Sequence, residues 1–297
     1  MTQACSSGPW ALEPFGVDAW PTARRLLLAC YPCTPAGLWD AGFKRLRTVP
    51  SAPADEPMGM ILSNAQGPSG LALLLASQRP GAAGPQRLVN ISSWGILPQA
   101  RQRALWMART GLAERGTAYS ALTPLPSLHR LLRRIDLSAV THQHILMSTP
   151  RLAWPVPAAR QPAAVLAGKT ALHVLRDDPL VAALHDHVRL GCEVLALQSS
   201  IGTQGWVPLV FRAQRRLGWL RTAELLYTPS QSLVAEHARA LAGPLLRRGY
   251  MLMGFDAHED LAPRDPCTRL FQRRYGRALP ATSGIDYLYS ELVYLHR

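Results

Sequence analysis

The chain has 297 residues, 48% of them hydrophobic and 17% charged, with a formal net charge of +13. That apolar content excludes a disordered chain and supports one large core or two ordinary ones. Of the 32 basic residues only Lys44 and Lys169 are lysines, and the arginines stand in scattered pairs rather than in one cluster, which argues against a nucleic-acid face.

Five cysteines, an odd number, do not form the paired framework of a small secreted domain. The stretch Met1 to Pro21 has no long apolar run, and "LLLAC" (Leu26 to Cys30) is far shorter than the roughly 20 residues a membrane helix needs. The expectation is a cytoplasmic protein without a transmembrane segment, its oligomeric state left open.

In chain order, the first 20 residues, rich in Gly, Pro and Trp, read as an irregular lead-in. Thr22 to Cys30 and Pro35 to Leu46 read as helices separated by "YPCTP", and Pro50 to Pro57 as a loop. "MGMILSN" and "GLALLLASQR" read as paired strands around a turn at Ala65 to Gly70. After "PGAAGP" comes the strand "VNISSWGI". A helix is predicted from Pro98 to its stop at Gly116, with Ala100, Ala104, Leu105, Ala108 and Leu112 as its buried stripe. Arg101, Arg103, Arg109 and Arg115 fall largely outside that stripe. "TAYSAL" returns as a strand, and Pro126 to Arg134 reads as a further helix.

The proline-dense stretch Thr149 to Ala164 reads as a linker. Beyond it, Thr222 to Ala257 repeats the order strand, proline, helix, Arg-Gly, strand, with Arg248-Gly249 placed as Arg115-Gly116 is in the first half. The organisation predicted is α/β, in domains 1–150 and 151–297, each a mixed twisted sheet flanked by helices.

At "VNISSWGILPQARQRALWMA" the chain resembles the GNAT superfamily of acyl-CoA-dependent acyltransferases, and as a whole it resembles a tandem GNAT-like protein. The family pattern at the helix start is Arg/Gln-x-x-Gly-x-Gly/Ala. Here Arg101 fits it, Ala104 stands where Gly is usual, and Trp106 where a small residue is usual. The resemblance implies an acyl transfer from acetyl-CoA or a longer acyl-CoA to the amine or hydroxyl of a small or lipid-like acceptor, without a metal. It places the pantetheine arm along Trp94, Gly95 and Ile96. The pyrophosphate falls on the helix-start amides from Gln102 through Ala104 to Trp106, beside Arg101 and Arg103.

The family's usual leaving-group tyrosine is missing, since its position falls near Leu132. Tyr119 or Ser93 would then assist proton transfer. The C-terminal "GIDYLYSELVYL" alternates as a strand with a packing pattern of aromatics. Its Asp-x-x-Tyr-x-Glu segment resembles the ending of two-domain GNAT-like proteins, and that resemblance adds Asp286, Tyr289 and Glu291, with Glu291 as a catalytic candidate. The alternative is a descendant that kept the fold as a binding or scaffold protein and lost the chemistry.

Other motifs read as structural. Cys30-Tyr31-Pro32-Cys33 follows a helix and lacks a second pair for zinc. His142-x-His144 and His185-x-His187 would need a third metal ligand such as His173 or Asp178. In a helix, residues two apart face different ways. Gly168-Lys169-Thr170 lacks the earlier glycine of a phosphate loop, since Ala163 stands there.

Overall fold

The structure, a computed structural model, describes residues 9–48, 56–80, 84–114, 116–154, 163–203, 205–258, 261, 265, 267–277 and 284–295. In chain order they form β1 (Ala11–Phe15), α1 (Trp20–Cys30), α2 (Ala36–Thr48), β2 (Gly59–Asn64), β3 (Gly67–Arg79) and β4 (Gln86–Ile96). A 3-10 segment Pro98–Arg103 leads into α3 (Ala104–Gly111), followed by β5 (Ala118–Ala121) and α4 (His129–Arg133). Next come β6 (Ser138–Ser148), α5 (Thr149–Ala153), β7 (Val165–Ala167), α6 (Lys169–Val174), α7 (Val181–Arg189), β8 (Glu193–Thr203) and β9 (Trp206–Arg216). The last part runs β10 (Leu220–Thr228), α8 (Gln231–Glu236), α9 (Ala238–Arg247), β11 (Leu252–Ala257), β12 (Thr268–Arg277), β13 (Ile285–Asp286) and α10 (Glu291–Tyr294).

The chain divides into two compact units. Unit 1 comprises Met1–Val140, Arg274–Leu279 and Tyr289–Leu295; unit 2 comprises mainly Thr141–Arg273 and Pro280–Leu288. The division falls at Val140, ahead of the proline-dense stretch, because β6 pairs antiparallel with β11 from Ser148↔Leu252 to Gln143↔Ala257. In return, the end of β12 pairs with β5 in unit 1, Tyr275↔Ala121 to Arg277↔Tyr119. Thr149–Ala153, expected as linker, is α5 with Leu152 buried, while residues 155–162 of that stretch lie outside those described.

Within unit 1 the strand order is β1-β2-β3-β4-β5-β12, antiparallel except for the parallel pair β4–β5. The expected irregular lead-in contributes β1, which pairs with β2 and buries Phe15. From α3, Met107, Ala108 and Leu112 pack with Val89, Ile91, Trp94, Tyr119 and Ala121 in one hydrophobic cluster. β4 carries one extra residue, Ser92, where the register with β3 slips between Ser93↔Leu73 and Ile91↔Leu74. Such a bulge turns strand groups out of line with the neighbouring ladder.

Unit 2 repeats the plan in the order β6-β11-β10-β9-β8-β7, with β10–β11 its parallel pair and β13 attached to β10. Both units are therefore mixed sheets with flanking helices, the α/β class read from the sequence.

Two elements depart from expectation. The arginine helix predicted from Pro98 starts as 3-10, with Ala100 N–H bonded to Leu97 O and Ala104 N–H to Arg101 O. The α-helix proper is the shorter Ala104–Gly111, and Arg115 lies outside the described residues. The C-terminal segment is not one strand: β13 is followed by a left-handed turn at Tyr289 (φ 55°) and by α10, whose Leu292 N–H is capped by Ser290 Oγ. Among the described residues, no helix is long and apolar enough to cross a membrane.

Candidate active site

β4 and β5 run parallel through three pairs, Leu88↔Ala118, Val89↔Tyr119 and Asn90↔Ser120. Beyond them Ile91 to Ile96 continue without a β5 partner, so a wedge opens along one edge of β4. Asn90 marks its apex. Its Nδ2 donates to Ser120 Oγ at 3.1 Å, and its Oδ1 accepts from the Glu291 N–H at 3.0 Å.

Glu291 is thereby fixed beside the wedge. Its Oε1 accepts from both the N–H and the hydroxyl of Thr123, each at 3.1 Å. Its Oε2 is buried and has no hydrogen-bond partner among the described residues. Burial pushes the carboxyl pKa up, and the Thr123 bonds and nearby Arg274 pull against it without winning. A buried carboxyl with one unpartnered oxygen and a raised pKa is a candidate general base. The strained turn before it is held in place by Arg79, whose guanidinium lies 5.2 Å from the Tyr289 ring centre.

Trp94 faces the same edge. Its ladder position opposite Ala72 turns its N–H and C=O away from β3. Both are taken by one hydroxyl: Tyr31 donates to Trp94 O at 2.8 Å and accepts from Trp94 N–H at 2.9 Å. Burial holds the Tyr31 phenol neutral, its pKa pushed up to about 12. Gly95 is required beside it, because a Cβ there would stand 2.7 Å from Cys30 Cβ. The Cys30 thiol pKa is raised by burial, with Arg101 pulling it the other way.

The residues singled out in the sequence fall into separate groups. Ser93, Trp94 and Gly95 are buried on β4 and Ile96 is half-buried. Arg101 and Gln102 are exposed, while Arg103 stacks 5.7 Å from the Trp10 ring. The helix-start amides are not all open to an anion, since that of Ala104 already serves the 3-10 turn. Trp106 is 38% exposed, so its indole does not plug the helix start. Tyr119 packs in the hydrophobic cluster with Met107 and Leu112, and strand alternation puts it on the face opposite Ser120. It is therefore separated from the Asn90–Glu291 arrangement. Asp286 belongs to unit 2 and Glu291 to unit 1.

Unit 2 has a buried ionic cluster that sequence spacing gives no sign of. His144 Nδ1 meets Asp256 Oδ1 at 2.8 Å, its Nε2 lies 2.8 Å from an Arg216 nitrogen and 3.4 Å from Glu224, and Asp256 also accepts from Tyr287 OH at 2.9 Å. Arginine only donates, so Nε2 is the acceptor and Nδ1–H donates to Asp256. His144, Glu224 and Asp256 are close enough to hold a cation. In this arrangement the Nε2 lone pair faces Arg216, whose positive charge lies beside the Glu224 carboxylate. Of the other motif residues, His185 is exposed, His187 is buried and bonded to Ala183 O, Asp178 accepts from Leu180 N–H, and the His142 side chain lies outside the described residues.

Tyr31 and Thr123 carry no local signal, because each acts on a residue far away in the chain. Asn90 has one: a lone amide inside the apolar strand "RLVNIS" needs partners once buried.

No protein-family model and no curated protein sequence matches the chain. Solved structures do match. A GCN5-related N-acetyltransferase from Anabaena variabilis superposes with a TM-score of 0.57 at 8% identity, over 90% of this chain and 72% of that one. Another from Kribbella flavida gives a TM-score of 0.57 at 10% identity, over 93% and 72%. Identities this low speak for the fold, which in this chain is that of the GCN5-related N-acetyltransferases.

Proposed function

We propose that the chain is an acyltransferase moving an acyl group from acetyl-CoA or a longer acyl-CoA to an amine or hydroxyl acceptor, with the reaction in the β4–β5 wedge of unit 1. The observation that carries this reading is the Glu291 carboxyl, buried beside that wedge with Oε2 unpartnered. An extended pantetheine arm would pair with the β4 edge at Trp94 to Ile96, and Arg101, with the exposed start of the 3-10 segment, would meet its phosphates.

Glu291 accepts a proton from the acceptor's ammonium or hydroxyl. The freed lone pair attacks the thioester carbonyl, whose oxygen takes the negative charge, and β4 main-chain N–H groups near the Ser92 bulge are the donors at hand. Collapse of the intermediate breaks the C–S bond. A hydroxyl acceptor leaves as ester with CoA as thiolate, while with an amine the second N–H proton passes to the departing sulfur and CoA leaves as thiol. Ser93 lies on the strand beside this step. Tyr119, in the core, has no part in it. A thioester is already activated, so positioning supplies much of the acceleration.

The Trp94 edge fits the arm on one condition. Tyr31 holds the same N–H and C=O, so arm and phenol compete and Tyr31 must swing aside. That contact favours the second reading, a protein that keeps the fold for binding alone. Titration with CoA and acetyl-CoA, followed by thermal shift, tests the proposal. Ligand at 100 times its Kd stabilises by about 2.7 kcal/mol. No shift at millimolar CoA, in the parent and in Tyr31→Phe alike, removes the acyl-CoA reading. Binding without any turnover of acetyl-CoA across a panel of amines favours the second.

A further inference from the structure

In unit 2, β10 and β11 pair in parallel at Thr222↔Leu252, Ala223↔Met253 and Glu224↔Gly254, and β10 then runs on to Thr228 alone. β9 covers its other edge as far as Tyr227↔Val210. An open strand edge in a wedge is a template for an extended ligand, which adds to it by main-chain hydrogen bonds. In unit 1 the Trp94 N–H and C=O on the corresponding edge are taken by the Tyr31 side chain rather than by main chain.

In unit 2 that edge is taken by main chain. β13 pairs with it antiparallel, Thr228↔Ile285 and Tyr227↔Asp286, and the Tyr287 N–H donates to Leu226 O at 2.8 Å. The segment is held at both ends. Gly284 lies so close that a Cβ would stand 2.2 Å from Thr228 O, and its own carbonyl accepts from Gln231 Nε2 at 3.4 Å. The Tyr287 hydroxyl donates to Asp256, which the His144 ring nitrogen also meets. Ile285, Tyr287 and Leu288 are buried.

We infer that unit 2 has closed this groove with its own segment Gly284–Leu288, an internal peptide standing in for an extended ligand, and takes no acyl-CoA there. The comparison with unit 1 rests on the proposed function, whereas the closure of unit 2 stands on its own contacts. A bound arm would have to displace three backbone-paired residues and the Tyr287–Asp256 bond, where at Trp94 in unit 1 it meets side-chain rather than main-chain hydrogen bonds.

The test is residue-resolved amide hydrogen exchange of the full chain, with and without millimolar CoA, alongside calorimetric stoichiometry. Without ligand, the Tyr287 amide should exchange at least about 10³-fold more slowly than in a free chain end. Gly284→Val, which cannot keep the contact with Thr228, should speed that exchange at least about tenfold. CoA should slow exchange within Ile91–Ile96, leave Gly284–Leu288 unchanged and bind once per chain. Fast exchange at Tyr287 without ligand, faster exchange there on adding CoA, or two CoA per chain would each overturn the inference. CoA without effect anywhere sinks the acyl-CoA reading of unit 1 but, with Tyr287 still slow, upholds the closure of unit 2.

Discussion

One hydroxyl, that of Tyr31, satisfies both the N–H and the C=O of Trp94, at 2.9 and 2.8 Å, across 63 positions of sequence. A side chain thus does on the β4 edge what a neighbouring strand does elsewhere in a sheet. It keeps two main-chain groups of a buried residue paired.

Tyr31→Phe keeps the ring against Trp39 but leaves those groups without a partner. Unpaired buried groups cost about 1–3 kcal/mol, so the melting temperature should fall without ligand. CoA no longer has a competitor, and its affinity should rise roughly tenfold, the effect of about 1.4 kcal/mol. Calorimetry on parent and variant decides it; equal affinities would rule out competition for the edge.

Glu291→Gln should keep the Thr123 contacts and lose the base. A positioned acid-base group is worth about 10²–10⁴-fold, and the acyl-transfer rate should drop within that range. In the parent, kcat/KM should rise with pH through a midpoint above the ordinary glutamate value near ~4.3, since burial raises this carboxyl and only its ionised form accepts a proton. A rate independent of both pH and the substitution would remove Glu291 from the chemistry.

The same carboxyl sets a stability trend. Its pKa is higher folded than unfolded, so the folded chain holds the proton more tightly. Its contribution is fully present below the unfolded value of about 4.3 and is lost as pH rises through the raised folded value. Glu291→Gln cannot ionise, and its melting temperature should fall less than the parent's across that interval. Thermal scans from acid to neutral pH read the difference.

Gly254→Ala, within unit 2, should be destabilising. An added Cβ would stand 2.7 Å from Glu224 Oε2 and 3.2 Å from His144 Nε2, inside the buried ionic cluster. Overpacking of this kind typically costs about 1–3 kcal/mol. Denaturant unfolding measures it, and an unchanged midpoint would mean that the cluster yields freely.

Arg101→Ala and Arg103→Ala should separate ligand binding from packing. Arg101 is exposed, so its loss should leave stability within about 0.5 kcal/mol while weakening CoA. Arg103 stacks on Trp10, and its loss should cost about 0.5–1 kcal/mol of stability. Paired thermal and binding titrations distinguish the two.

The fold was legible where neighbours in sequence decide the conformation. Helical spacing and turn residues placed α1, α2 and the hairpin of β2 and β3 close to where they stand, and the repeated strand–helix–strand order announced two similar units. β1 is not legible in the sequence, because its Ala-Leu-Glu-Pro-Phe has no strong strand pattern and becomes a strand by pairing with β2. The arginine helix was overextended because its apolar stripe does not distinguish 3-10 from α turns. Glu291 was reached through a C-terminal motif, but the continuous strand drawn through it breaks at Tyr289.

By itself, then, the sequence determined the α/β class and elements with strong local patterns such as α1, α2 and the β2–β3 hairpin, since these follow from the spacing of apolar residues and from local turn chemistry. Only the tertiary structure decided which strands each unit shares, that Glu291 meets Asn90 across 201 positions, and that β13 lies on β10. Those contacts join segments far apart in the chain. They are selected by burial and by the pairing of main-chain groups at the two wedges, which no local pattern encodes.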